Sequence, residues 1–462
     1  MPRVKSAYHI ASSELPTAVV ENNWPRPGFL ECGVSGNGYV GRLIGHGSRW
    51  CFEAAESGIV VCGHGDPIEA VWEQLQEHAD WGPNAGAIGY ISYEAGYAML
   101  GLERAAHLND FNFQIPDLQF LFFRSLMRMP PRAQSELPRA RSYTQRDLDR
   151  LVLLSGVRAQ ISRSRYHSDV EAIRAHIAAG DIYQANYTQA FDVDSTESAP
   201  AQYRRLMAIC PAPYNACLHF PEWPSRDAAS PMAAFPTMTI LGASPERLLR
   251  KLGHRLETRP IKGTIARATS PDGDQLARRR LILSKKDRAE LLMITDLERN
   301  DLGKVAKVGS VRVDAIARLR RAPSVWHLES TVVADCGPNV TWVEALRALF
   351  PGGSITGAPK RRAVSILSEL EPVGRGVYCG AYGWVDARGD CDFAVAIRTA
   401  VRVGDRLRLF GGGGIVYDSD PDSEYYESVI KIAPMIEAFT GSTGEATTGR
   451  SGMTIETEPS HA

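Results

Sequence analysis

Lys286-Asp287-Arg288-Ala289-Glu290 opens a helix that Leu291, Met293, Ile294 and Leu297 continue, and the block runs on to Gly303 as KDRAELLMITDLERNDLG. Around it, helical spacing spans 276–300 and returns at 342–349, 359–370 and 422–438. Runs rich in β-formers lie at 182–193, 238–242, 247–258, 378–386, 392–402 and 406–416. Strands and helices mixed over one long segment make the fold α/β or α+β. Upstream, Ser168 and Glu171 form a capping-box pattern ahead of Val170, Ile173 and Ile177, with Gly180 as the stop.

Three stretches break this order. Residues 128–146 are basic and contain proline without an apolar period, so they predict a linker or long surface loop. Residues 265–286 predict a mobile basic loop leading into a helix, and the small, polar residues 441–462 predict a disordered tail. Before the linker, short apolar runs and the glycines between Gly82 and Gly101 suggest strands and turns. The organisation expected is an N-terminal region (1–127), a linker region (128–164), a main segment (165–440) and the tail (441–462). No internal repeat is present.

The 462 residues can bury a large core, and the 44% apolar and 23% charged content is that of a soluble globular protein. Lys and Arg number 52 against 53 Asp and Glu, so no global field favours nucleic acid or an anionic membrane. Cys32, Cys51, Cys62, Cys210, Cys217, Cys336, Cys379 and Cys391 form no CxxC pair, which indicates neither a zinc site nor a disulfide framework. With no basic-then-apolar leader and no run of about 18 apolar residues, a cytoplasmic location is expected.

Pro260-Ile261-Lys262-Gly263 puts an amine on a short turn, where partial burial would make it a nucleophile; an exposed surface turn is the plainer alternative. Asp287 and Glu290 share one helix face, and Glu424 and Glu427 repeat that spacing with Lys431 one turn on. Carboxylate pairs without His or Cys suit Mg²⁺, although each pair alone also fits a solvated helix face. Gly411-Gly412-Gly413-Gly414, following a strand-like run, exposes amides beside the second pair. A second glycine loop, Gly352 to Lys360, runs into the helix at 359 and offers Thr356, Gly357 and Lys360 to an anion. It resembles a Walker A loop only superficially, since Ala358-Pro359 replaces the Lys-Ser/Thr pair, and a carboxylate suits it better than a nucleotide phosphate. Arg398 ends an apolar strand-like run, where it can grip a carboxylate or form a structural salt bridge. The plainer reading of His327 is a core histidine, and of Glu246 a local partner of Arg247.

Together these blocks resemble the chorismate-utilising enzymes, the family of anthranilate, isochorismate and salicylate synthases and aminodeoxychorismate synthase component I. The blocks that carry the likeness are Gly180 to Asn186, Ser244 to Arg247, Thr258 to Thr264, Lys286 to Gly303, 351–360, Arg375 to Gly380 and Gly411 to Lys431. They span about residues 165–440, while 1–127 resembles the family's N-terminal region loosely. The resemblance implies two packed antiparallel sheets forming a sandwich flanked by helices. The tetrad resembles the Pro-Ile-Lys-Gly of aminodeoxychorismate synthases, where anthranilate synthases carry Pro-Ile-Ala-Gly. That implies conversion of chorismate and ammonia to 4-amino-4-deoxychorismate, on the route to 4-aminobenzoate and folate. Lys262 would attack C2, with Glu246 as acid/base and His327 near the reacting edge. Mg²⁺ would be held directly by Glu290 and Glu427, with Asp287 and Glu424 alongside. Tyr378, Arg398, Lys431 and the Gly412, Gly413 and Gly414 amides would hold the substrate carboxylates. Trp326 departs from the usual first histidine of a His-His pair. No glutaminase module is recognisable, so a separate glutamine amidotransferase subunit, or free ammonia, would supply nitrogen. The alternatives are an anthranilate or isochorismate-type synthase, or an inactive chorismate-binding regulatory subunit.

Overall fold

A strand covered on both faces reads as a continuous buried run, and Gln184–Asp194 and Met238–Ser244 are two such strands. They need a second sheet on one side and helices on the other. The computed structural model describes residues 7–9, 17–22, 33–108, 113–129, 143–154, 156–223, 233–268, 270–322 and 325–441. In one antiparallel sheet Val157–Ala159, Gln184–Asp194, Arg406–Ile415, Thr399–Val403, Met238–Ser244, Tyr214–Phe220 and Thr17–Asn22 lie side by side. The other antiparallel sheet runs Leu118–Met129, Gly86–Ile91, Ala381–Asp386, Cys391–Val395, Arg247–Leu252, Arg255–Arg259, Val325–Asp335 and Arg312–Arg321. Ile261–Ala266 also pairs with Val325–Asp335. The long strand Gly33–His46 pairs with members of both sheets and joins them.

Between the sheets, Ile88, Tyr90 and Leu121 from one meet Leu218, Phe220 and Ile240 from the other. Helices Arg163–Ala178, Lys360–Leu370 and Pro421–Thr440 cover the outer face of the first sheet, and Pro67–Glu77 and Trp342–Leu349 that of the second. The expected sandwich with flanking helices is present. It takes strands from both sides of the 128–164 region: Gly86–Ile91 pairs residue for residue with Ala381–Asp386. No described helix is long and apolar enough to cross a membrane.

Several local expectations change. The helix expected from Ser168 begins at Arg163, capped by Ser162, because Ser162 Oγ accepts from the Arg165 amide; Glu171 instead bonds Arg174. The expected helix 276–300 is two, Pro271–Leu283 and Lys285–Gly303, with Ser284 ending one and capping the other through the Asp287 amide. The single run 247–258 folds back at Gly253, whose φ of 55° allows the turn between two strands. Within the 128–164 region, Thr144 and Asp147 cap a helix at Gln145–Val152, and Val157–Ala159 adds an edge strand. Residues 130–142 and 442–462, including nearly all of the expected tail, lie outside the described residues. Cys51 and Cys62 stand directly opposite on neighbouring strands and are joined as a disulfide, which their sequence spacing had not indicated.

Fully buried Arg247 ties the second sheet together. Its guanidinium donates to both Asp392 oxygens at 3.0 and 2.9 Å and to Glu257 at 2.6 Å, bridging three strands. Burial opposes the Glu257 charge, yet Arg247 and Arg259 outweigh it and bring its pKa down to about 2. Replacing Arg247 by Leu removes the guanidinium between Asp392 and Glu257 and leaves Arg250 and Arg259 to face them, a loss of about 3 kcal/mol. Denaturant unfolding of R247L should show it; a change below about 1 kcal/mol would contradict this bridging role.

Candidate active site

Lys262 and Thr264 flank a kink in the strand Ile261–Ala266, where register against Val325–Asp335 shifts at Gly263. Gly263 has φ 77°, and a Cβ there would lie 2.9 Å from that of Asp287. Glycine thus lets the lysine strand bend and the helix Lys285–Gly303 approach it. That helix brings Asp287 against the kink and Glu290 into the field of Lys262.

The four glycines expected to follow a strand lie inside it, in Arg406–Ile415, each paired with a residue between Asn186 and Gln189. On their other edge the ladder to Thr399–Val403 ends at Leu409, so Gly411–Gly414 have no strand neighbour there. Helix Pro421–Thr440 and the lysine come up against them. A Cβ on Gly413 would sit 3.0 Å from Glu424 Oε2 and 3.5 Å from Glu427 Oε1. One on Gly414 would sit 2.3 Å from Gln184 Nε2 and 3.1 Å from Lys262 Nζ. Lys431 Nζ bonds Glu427 Oε1 at 2.8 Å and the Gly412 carbonyl at 2.7 Å. Lys286 Nζ stands 3.9 Å from Glu290 and 3.8 Å from Glu424.

The fold therefore assembles Lys262, Asp287, Glu290, Glu424, Glu427, Lys431 and the glycine strand in one place. Burial pushes the Lys262 pKa down, and Lys431 adds to this against the pull of Glu290, Glu246 and Glu427. Burial also raises Glu290 and Glu424, whereas Lys431 holds Glu427 below its ordinary value.

Behind the lysine, Glu246 is fully enclosed. Ser354 Oγ donates to its Oε1 at 2.5 Å, and burial with nearby Glu298 raises its pKa to about 8 against Ser354 and Lys262. Its side chain is not the partner of Arg247, which is taken by Asp392 and Glu257. His327 lies across the strand pair from Thr264, whose hydroxyl is 2.8 Å from Nδ1; Nε2 is buried without a hydrogen bond. Burial, Arg398 and Arg320 keep the ring neutral by pushing its pKa well down. Arg398 is half-exposed in a connector and not in a strand, with φ 48°. Its charge reaches His327, while no hydrogen bond or ion pair engages its guanidinium among the described residues.

Four expected substrate contacts are placed otherwise. Lys360 Nζ bonds Asp301 at 2.7 Å and the Leu349 carbonyl at 2.9 Å, so its charge is neutralised within the fold. Buried Thr356 donates its hydroxyl to the Gly352 carbonyl, and Gly357 pairs with Ala185, so the loop is a structural brace and not an open anion cradle. Tyr378 stacks on Phe410 at 5.0 Å and lines a cavity of about 560 Å³ with Arg408, Thr399 and His46; none of the lysine cluster lines it. Trp326 is structural: its indole donates to Asp274 at 2.8 Å, with Arg267 and Arg278 over the ring at 5.4 and 5.0 Å.

Sequence reasoning missed Gln184, Ser354, Lys286 and Glu298. Gln184 is fully buried beside Lys262, with neither carboxamide atom hydrogen-bonded. A signal for Glu298 existed, since it falls on the buried stripe Leu291, Ile294, Thr295, Asp301 and Leu302.

Among the described residues no three His, Cys, Asp or Glu side chains converge tightly enough to enclose a metal by themselves. Mg²⁺ commonly takes one or two carboxylates and completes its shell with water and substrate oxygens. The donor set fits such an ion: Glu290 Oε1 is buried without a hydrogen bond, and the ammonium groups of Lys286 and Lys431 lie where carboxylate charge needs balancing.

Residues 35–437 match the family described as chorismate binding enzyme. The chain is 34% identical over 408 residues to aminodeoxychorismate synthase component 1 of Klebsiella aerogenes, covering 84% of this chain and 86% of that one. It is 37% identical over 315 residues to anthranilate synthase component 1 of Cereibacter sphaeroides, covering 68% and 58%. Its fold is similar to the crystal structure of anthranilate synthase component I from Streptococcus pneumoniae, with a TM-score of 0.67, 24% identity and coverage of 93% and 94%. A match across nearly the whole described chain, on a lysine and carboxylate cluster built by both sheets, places this chain in the chorismate binding enzyme family.

Proposed function

We propose that this chain aminates chorismate at C4, making 4-amino-4-deoxychorismate as an aminodeoxychorismate synthase component 1 does. The observation that carries the reading is Lys262, a half-buried amine of lowered pKa facing Glu290 and Glu427. Likeness to the Klebsiella aerogenes protein over most of both chains supports it.

In this reading the free Lys262 amine forms a bond to ring carbon C2. Both double bonds of the ring diene shift, C1=C2 to C1=C6 and C5=C6 to C4=C5, as the C4–O bond breaks, and the hydroxyl leaves as water with a proton from Glu246. The secondary ammonium then returns a proton to Glu246. Ammonia next bonds to C4, both double bonds shift back, and the C2–N bond to Lys262 breaks. The amine regains the proton that ammonia loses, so chorismate and ammonia give the amino product and water. Arg398, Lys431 and the open edge of the glycine strand receive the two substrate carboxylates, and neutral His327 offers a hydrogen bond at the reacting edge. Mg²⁺, held by Glu290 and Glu427 with Asp287 and Glu424 alongside, would neutralise the ring carboxylate and, as a Lewis acid there, draw electron density through the ring as the hydroxyl departs. The ammonia comes from a glutamine amidotransferase subunit or from solution. Likeness to the Cereibacter sphaeroides protein favours amination at C2 as the competing reading, with anthranilate as product.

Purified protein given chorismate, Mg²⁺ and ammonium should yield 4-amino-4-deoxychorismate by mass and ultraviolet spectrum, and a chelator should suppress it. Anthranilate or isochorismate as the main product would overturn the assignment. K262A should lose 4-amination by more than about 10³-fold. Retention of wild-type 4-amination by K262A would remove the lysine from the chemistry.

The two titrations have opposite signs. Lys262 works as free amine, so kcat/KM rises as pH climbs through its lowered pKa. Glu246 works protonated, so kcat/KM falls once pH passes about 8. E246Q should lower the rate by about 10²–10⁴-fold and abolish the falling limb. A falling limb that survives E246Q belongs to another group.

A further inference from the structure

Glu298 is a fully buried carboxylate with no part in the reaction as drawn above. It approaches the Gly353–Ser354 turn from the helix Lys285–Gly303: the Gly353 amide donates to Glu298 Oε1 at 3.0 Å. The next residue, Ser354, donates to Glu246 Oε1 at 2.5 Å. Two carboxylates from different elements thus grip adjacent residues of one turn. The Thr258 hydroxyl adds a second link, lying 3.4 Å from Glu298 Oε2 and 3.4 Å from the backbone carbonyl of Arg247, the neighbour of Glu246. A Cβ on Gly353 would lie 2.6 Å from Leu297 Cδ2 and 3.2 Å from Glu298 Oε1, so the turn is pressed onto the helix.

We propose that Glu298 is a positioning residue for Glu246, anchoring the turn that aims the acid and supplying the like charge that keeps the acid's proton in place. The inference rests on the reading of Glu246 as proton donor. An apolar residue at 298 could fill the same space. What it could not do is accept the Gly353 amide or repel ionisation of Glu246. The charges facing the pair come from every neighbouring element. Glu246 meets Lys262 from the strand Ile261–Ala266 and Glu298 from the helix, with Ser354 as its hydroxyl donor. Glu298 meets Lys360 from Lys360–Leu370 and Asp301 from its own helix, with the Gly353 amide and Thr258 as donors. Burial and Glu298 raise Glu246, while Ser354 and Lys262 pull it down. Burial, together with Asp301, raises Glu298 to about 7 against Lys360. With an amide donor, the Thr258 hydroxyl and Lys360 facing it, Glu298 is the member placed to hold the charge, which leaves the proton on Glu246. Carboxylates coupled this way release protons in two separated steps belonging to the pair.

E298Q keeps the Gly353 bond and removes the charge. Its falling limb of kcat/KM should move to lower pH by about half to one unit. E298D, one methylene short of the amide but still charged, should keep the limb near its wild-type position and lower kcat. A limb unmoved in E298Q overturns the proposal, because a purely space-filling residue would leave it there. Should E298Q fail to fold, infrared titration of the wild type and E246Q reads the order of ionisation instead. The carboxyl band left in E246Q should titrate at the lower wild-type step, because Glu298 ionises beside a neutral partner in both proteins, and a band at the upper step overturns the proposal. Product identity is scored separately on the wild type. Formation of anthranilate or isochorismate would sink the proposed function and leave the limb shift readable.

Discussion

An ammonium ion drawn out of water must gain carboxylate neighbours or give up its proton, and that competition at Lys262 organises this molecule. Burial of a charged group costs several kcal/mol, and one carboxylate about 4 Å away returns about 4 kcal/mol at an effective dielectric of 20. With terms so evenly matched, placement of each neighbour decides the outcome. Glu290, Glu246 and Glu427 favour the charged amine; burial and Lys431 oppose it, and the balance falls toward the free base. Small shifts of the surrounding elements would tip it. The kink at Gly263 and the bare glycine strand matter for that reason: they fix how closely two helices bring their acids to the amine.

The readable part of this arrangement was chemical, and the hidden part was spatial. Spacing within one helix is a local property, so the pairs Asp287/Glu290 and Glu424/Glu427 could be seen in the sequence and do meet around one lysine. Trp342–Leu349 spans the predicted residues, since its apolar face and Thr341–Glu344 capping box are local as well. Lys360 shows where such reasoning fails. A lysine at the start of a helix beside a glycine loop looks like an anion site, but nothing local announces that Asp301, from another helix, arrives to neutralise it. Glu298 failed in the opposite direction. Its position on the buried stripe was visible, yet a carboxylate in that pattern reads as a solvated residue unless its partners are known.

Strand pairing was hidden for the same reason. Alternation and β-propensity mark a strand without naming its neighbour. The loosely recognised N-terminal residues and the main segment therefore looked separable. They share one ladder, Gly86–Ile91 against Ala381–Asp386, and one interior, where Tyr90 and Leu121 pack with Tyr382 and Ile240. The strand Cys391–Val395, next in that ladder, leads directly into the connector carrying Arg398. Residues far upstream of every recognised motif thus help set where the Arg398 guanidinium stands.

The acids around Lys262 divide into two kinds, and the division gives the site a direction. Glu246 and Glu298 are sealed in the interior, tied to a hydroxyl and an amide of one turn, where burial keeps protons on carboxylates. Glu290, Glu424 and Glu427 form a second group with Lys286 and Lys431 among them, near an unpaired strand edge. Protons are available on the closed side, and compensated negative charge gathers on the other. A ring lying between them, its carboxylate toward the cations and its hydroxyl toward Glu246, would meet an acid where a leaving group needs one and a cationic environment where its own charge needs one. Reversing that ring would set its carboxylate against buried carboxylates whose facing cations are Lys262 and Lys360, the second already held by Asp301. On the proposed reading, such a division of charge would favour one orientation of a substrate bearing two carboxylates before any specific contact is made.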